Sequence, residues 1–241
     1  MIVPQWPVQH QVGAVSSTRL GGHSCAPYDS FNLAYHVGDN SEHVAKNRAR
    51  LESYLPAPPI WVDQVHGCDV HVVDTNTDAN LLVSADALYT RTRRQPLAIM
   101  TADCLPVLIT SRCGSEVAAG HGGWRPLAGG IIAKMVRHFE TAPDQLVAWL
   151  GPAIGRNAFE VGSEVKDTFI AQSPELSEAF RAIGNGKYLA DIFSIAQMQL
   201  QALNVNDIYT DKLCTYSDKE QFFSYRRDGQ CGRMATVIWR K

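Results

Sequence analysis

The sequence has no CxxC pair, no HxH pair, no long basic run, and no uninterrupted apolar stretch near the roughly 20 residues that a membrane span needs. Without CxxC, a zinc knuckle or a thioredoxin-type redox site is not expected. Without HxH, and with only eight scattered histidines, a multicopper cluster is disfavoured. A PCxxC element is also missing, which argues against a cytidine-deaminase-type site. The formal net charge of −2, from 22 basic and 24 acidic residues, creates no field for nucleic acid or a membrane surface. The start, MIVPQWPVQH, lacks a basic lead and a signal-length apolar core. A cytoplasmic protein acting on small molecules is expected. There is no internal repeat and no low-complexity linker, so residues 1–241 read as one domain, as a monomer or a small homo-oligomer.

What is present is a chain of 241 residues, 45% hydrophobic, enough to bury a full core. Its six cysteines, in the reducing compartment expected, are read as free thiols. The informative stretch runs from Met100 to Arg125, MTADCLPVLITSRCGSEVAAGHGGWR. Leu105 to Thr110 and Val117 to Ala119 read as two strands joined by a reversal. A reversal centred on Arg112 and Cys113 sets Cys104 directly opposite His121, within reach of one metal ion or one proton.

Around this hairpin the pattern is mixed α/β. Strands are predicted at Val12 to Ser17, Ile60 to His66, Asp69 to Asp74, Leu97 to Ala102 and Gln145 to Leu150. Leu97 to Ala102 is apolar on both faces and reads as a central strand. Ser41 is expected to cap a solvated helix through about Tyr54, with His43 exposed. Thr75 to Asn80 reads as a polar loop. Further helices are expected from Pro126, from Ser163 to Ala171, and from Ala190 to Leu203. Asp228-Gly229 reads as the turn of a C-terminal hairpin.

Several side chains carry two readings. Arg19, before Gly21 and Gly22, suits an anion contact or a surface turn. Gln64 shares a strand face with His66, whose ordinary role is a polar contact at a strand end. Asp86 is a candidate to orient a ligand histidine from behind, or a turn residue. Asp103 lies beside Cys104 and is a candidate proton carrier. Arg125 follows the Gly122-Gly123 entry to a helix, where an anion fits, and the same glycines also suit close packing. Arg226 is a reserve anion contact. Cys104 and His121 fit either a catalytic metal site with one open position or a nucleophile and its base.

The segments SSTRLGG, WVDQVHG, ADALYT, MTADCLPVLI, GHGGWRPLAGGI, WLGPAIG, KYLADI and CTYSDKEQFFSYRRDG…GRMA resemble the YfiH family, also called laccase-domain or polyphenol oxidase proteins. The resemblance covers almost the whole chain, departing from the usual HAGWRG at Gly122 and Pro126. It implies an α-β-β-α layered sandwich similar to a cysteine-hydrolase toxin fold. It implies zinc held by His66, Cys104 and His121, with copper as the other metal attached to the family. It further implies phosphorolysis of adenosine, inosine, guanosine and methylthioadenosine, and adenosine deamination, with nucleoside and phosphate as partners. Arg19, Arg125 and Arg226 are then the phosphate candidates. Editing of peptidoglycan precursors by Cys104 and copper-dependent phenol oxidation are the other activities attached to that family.

Overall fold

The computed structural model describes residues 1–79 and 81–241. The chain opens with β1 (Val12–Ser16) and α1 (Ser41–Glu52), then places β2 (Val62–Asp63), β3 (Val70–Val73), β4 (Val83–Ser84) and β5 (Ala87–Thr90). Its middle supplies β6 (Leu97–Thr101), β7 (Leu105–Ser111), β8 (Val117–Gly122), α2 (Trp124–Ala128), α3 (Ile131–Arg137) and β9 (Leu146–Leu150). The remainder adds β10 (Glu160–Gly162), α4 (Ser163–Ile170), β11 (Phe180–Gly184), β12 (Lys187–Ala190), α5 (Ile192–Ala202), β13 (Asp207–Thr210), α6 (Tyr225–Asp228) and β14 (Met234–Arg240). Among the described residues, no helix is long and apolar enough to cross a membrane.

Two sheets form the centre. A six-stranded sheet has the order β13-β9-β7-β8-β5-β3, and a three-stranded antiparallel sheet has the order β1-β14-β6. Side-chain alternation decides the layers. From the larger sheet Val107, Ile109, Ala118 and Ala148 face Ile131, Met135, Ile195 and Leu200 of α3 and α5. On its other face Leu88, Leu108, Ala119 and Trp149 meet Ala14, Leu97, Ile99 and Ile238 of the smaller sheet. That smaller sheet turns Ala98, Ala235 and Val237 toward Leu33 and Leu51, the latter on α1. The result is an α-β-β-α sandwich. Leu108 is fully buried between the sheets, so truncation to alanine is expected to cost about 2–5 kcal/mol.

Several sequence expectations are corrected here. β6 is the edge of the smaller sheet, not a central strand; it is apolar on both faces because a sheet covers one and α1 the other. The helix expected from Pro126 is divided into α2 and α3 at Gly129-Gly130, where Gly130 adopts φ 80°. Asn40, not Ser41, caps α1, accepting from the amides of Glu42 and His43, and His43 is only half-exposed. The C-terminal hairpin does not form: Tyr225–Asp228 is a helical turn, and β14 pairs with β1 and β6 instead. Of Ile60 to His66 only Val62–Asp63 is a strand. In the loop read over Thr75 to Asn80, Asn80 lies outside the described residues.

Candidate metal centre and cavity

The β7–β8 register places Pro106, not Cys104, opposite His121. The reversal is centred one residue later than expected, between Cys113 and Gly114: the Ser111 hydroxyl accepts the amides of Ser115 and Glu116, and Gly114 adopts φ 71°. A shift by two residues preserves which face each side chain takes. Cys104, just ahead of β7, therefore remains on the His121 side as a diagonal neighbour instead of a direct one.

Cys104 follows a turn at which Asp103 adopts φ 96°. The buried Asp103 carboxylate holds that turn. It accepts from Thr215 Oγ1 at 2.6 Å, Ser224 Oγ at 3.0 Å and the Arg226 amide at 2.7 Å. Asp103 is thus committed to anchoring the Cys104 turn onto the 215–226 segment, and it is not among the cavity residues.

His66 arrives from a different turn, at φ 57°. The reason lies in Asp86, which is fully buried. Its carboxylate accepts the amides of Val65 at 3.2 Å, His66 at 3.0 Å and Gly67 at 2.6 Å, so three successive N–H groups wrap one anion. The same carboxylate meets His121 Nδ1 at 2.8 Å. The His66 and His121 rings stand edge to face with centroids 4.7 Å apart. Donor atoms of His66, Cys104 and His121 all lie within 4.8 Å of one another. Gly123 leaves the room for this: a Cβ there would sit 3.1 Å from Cys104 Sγ and 3.3 Å from His66 Cδ2.

Burial pushes the Cys104 thiol up, but the His121 charge and hydrogen bonds from both imidazoles outweigh it and hold the thiol at about 6. Burial lowers His121, yet Cys104 and Asp86 raise it to about 9. For Asp86, hydrogen bonds from His121 and the turn amides overcome burial and hold the carboxyl below its ordinary value. The protein therefore stabilises a thiolate beside a protonated His121 imidazole, and a metal ion taken up there would displace the imidazole proton. With Nδ1 engaged by Asp86, His121 keeps Nε2 for that purpose. One sulfur and two imidazoles suit zinc, with a position left for a further ligand.

These donors line a cavity of about 470 Å³, together with His36, Gln64, Met100, Thr101, Ala102, Tyr225 and Arg233. Gln64 has its amide engaged by the backbone: Nε2 donates to Met100 O at 2.8 Å and Oε1 accepts from Met100 N at 2.7 Å. Arg19, Arg125 and Arg226 are not among the lining residues. Arg19 pairs with Asp29 at 3.2 Å and donates to Asp29 O and Lys219 O. Arg125 is exposed and lies over the Trp124 ring, and Arg226 donates to Glu160 O at 2.9 Å. The residues that sequence reasoning missed are His36, Tyr225 and Arg233; Arg233 lies within the GRMA element, whose pattern alone says nothing of where its side chain goes.

An α-β-β-α sandwich with a His-Cys-His donor set lining a cavity of about 470 Å³ defines a protein with a metal-compatible centre. The chain belongs to the family described as multi-copper polyphenol oxidoreductase laccase, whose model matches residues 13–241. It is 50% identical over 241 residues to purine nucleoside phosphorylase YfiH of Escherichia coli, covering 99% of this chain and 98% of that one. A purine nucleoside phosphorylase of Haemophilus influenzae is 46% identical with the same coverage. Among solved structures, a Neisseria meningitidis protein of the DUF152 family matches with TM-score 0.95 and 41% identity, over 100% of this chain and 98% of that one. YlmD from Geobacillus stearothermophilus matches with TM-score 0.92 and 34% identity, over 98% and 94%.

Proposed function

We propose that residues 1–241 form a single catalytic unit, a zinc-dependent purine nucleoside phosphorylase that also deaminates adenosine, with His66, Cys104 and His121 holding the ion. The observation that carries this reading is the convergence of three soft and borderline donors on one nucleoside-sized cavity. The names of full-length relatives supply the substrate class. Zinc bound there provides a Lewis acid for a substrate or water oxygen. Copper accepts similar donors, but the one such donor group among the described residues is suited to a single ion, which supports zinc over a multicopper centre.

The chain's own residues do the positioning. Asp86 fixes the His121 ring and the His66 turn together, so two of three donors are oriented before any ligand arrives. In phosphorolysis, a phosphate oxygen bonds to ribose C1′ as the C1′–N9 bond breaks; its electron pair goes to the purine, which takes up a proton. Ribose 1-phosphate and free base are released. In deamination, water adds at the amino-bearing carbon and ammonia leaves, giving inosine. Adenosine, inosine, guanosine and methylthioadenosine are the proposed substrates, in the cytoplasm.

Purified protein incubated with adenosine and phosphate should yield adenine, inosine and hypoxanthine. Metal-bound protein that yields none of them refutes the nucleoside reading. Full activity in the presence of a chelator moves the chemistry to a metal-free Cys104 nucleophile with His121 as base, the arrangement a peptidoglycan amidohydrolase uses.

A further inference from the structure

Phosphorolysis needs an anion site beside the nucleoside, and the arginines suggested by sequence lie elsewhere. A second cavity of about 350 Å³ adjoins the first, and the two share the walls His36, Tyr225 and Arg233. Among the described residues, Arg233 is the one arginine lining either of these two cavities.

Its setting is that of a prepared cation. The Arg233 amide donates to Asn32 Oδ1 at 2.9 Å and its carbonyl accepts from Leu33 N at 3.2 Å, so the backbone is pinned. Nη1 donates to the carbonyls of Cys231 at 2.8 Å and Gly232 at 3.0 Å, which fixes the guanidinium. Tyr225 lies against it, with the guanidinium carbon 5.7 Å from the ring centroid. The contrast with Arg19 is direct. Arg19 is neutralised by Asp29, whereas Arg233 pairs with no carboxylate among the described residues. A half-buried, unpaired, immobilised guanidinium at a cavity wall is the arrangement that recognises phosphate oxygens. Burial and then the Arg233 charge hold His36 below its ordinary value, which places the imidazole within the field of the same cation.

We infer that Arg233, with His36 beside it, forms the phosphate subsite at the seam between the two cavities, so that phosphate enters from the smaller one while the nucleoside occupies the larger. This rests on the phosphorylase reading for its biological meaning, but its test does not. Inorganic phosphate is titrated calorimetrically into the zinc-loaded full chain, without nucleoside, for wild type, Arg233→Gln and Arg233→Lys. Loss of a charge-assisted pair weakens binding about tenfold or more in Arg233→Gln, with Arg233→Lys between the two. Because Nη1 also holds two carbonyls, a second measurement uses wild type alone: phosphate should slow modification of Arg233 by phenylglyoxal, read by peptide mass. Wild-type affinity in a folded Arg233→Gln, or labelling of Arg233 indifferent to phosphate, overturns the subsite. Phosphate binding through Arg233 without nucleoside turnover keeps the subsite and refutes the phosphorylase reading.

Discussion

Asp86 Oδ1 lies 2.8 Å from His121 Nδ1, and the same oxygen accepts the His66 amide at 3.0 Å. One buried carboxylate therefore ties together two donor-bearing segments far apart in the chain. Replacing it tests whether the centre is organised from behind. Asp86→Asn is expected to lower zinc affinity about 10- to 100-fold, measured by chelator competition. Asp86→Ala, which also strands three amides, is expected to lose roughly 3 kcal/mol or more in urea unfolding. Unchanged zinc affinity in a folded Asp86→Asn contradicts the role given to this residue.

Gly123 offers a sharper cut, because its backbone tolerates a side chain. Its φ is −66° with ψ 163°, so alanine meets no conformational penalty there. The cost of Gly123→Ala falls on Cys104 Sγ and the His66 ring, the atoms its Cβ would crowd. The expected protein unfolds within about 1 kcal/mol of wild type yet binds zinc at least about tenfold more weakly. Wild-type zinc binding in this variant contradicts the tight fit given to Gly123 against Cys104 and His66.

Acid stability should depend on Glu116, remote from the metal centre. Burial pushes its carboxyl up, but hydrogen bonds from Thr141, Tyr89 and the amides of Glu140 and Thr141 outweigh this and leave it below its ordinary value. A depressed carboxyl stabilises the fold fully above the unfolded value near 4.5, and the contribution disappears as pH falls through the lower folded value. Glu116→Gln is therefore expected to be about 1–3 kcal/mol less stable at pH 7, with the gap closing toward pH 3. Urea titrations at the two pH values decide it; a gap that widens in acid has the opposite sign.

Much of the site was legible in the sequence, for identifiable reasons. Strand periodicity brought Cys104 and His121 to one face, and that survived a two-residue register error because side-chain direction repeats every two residues. His66 was not reachable this way: it sits on a φ 57° turn wrapped around Asp86, and no periodic pattern encodes a turn whose partner lies twenty residues on. The resemblance to a known family supplied it. Layer order was hidden because a strand apolar on both faces reads alike whether central, or at an edge covered by a sheet and a helix, as Leu97–Thr101 is. The C-terminal turn misled because the Arg226 amide satisfies the Asp103 carboxylate, which favours a helical turn at Tyr225–Asp228 over a hairpin.

The central claim is that one zinc ion at His66, Cys104 and His121 supports nucleoside phosphorolysis. It is tested most directly by adding zinc stepwise to metal-free protein and measuring ribose 1-phosphate formed from adenosine and phosphate, for wild type and Cys104→Ala. Activity should rise linearly and saturate at one equivalent in wild type, and stay at background in Cys104→Ala. Full activity before zinc is added, or saturation at the same level in Cys104→Ala, contradicts it.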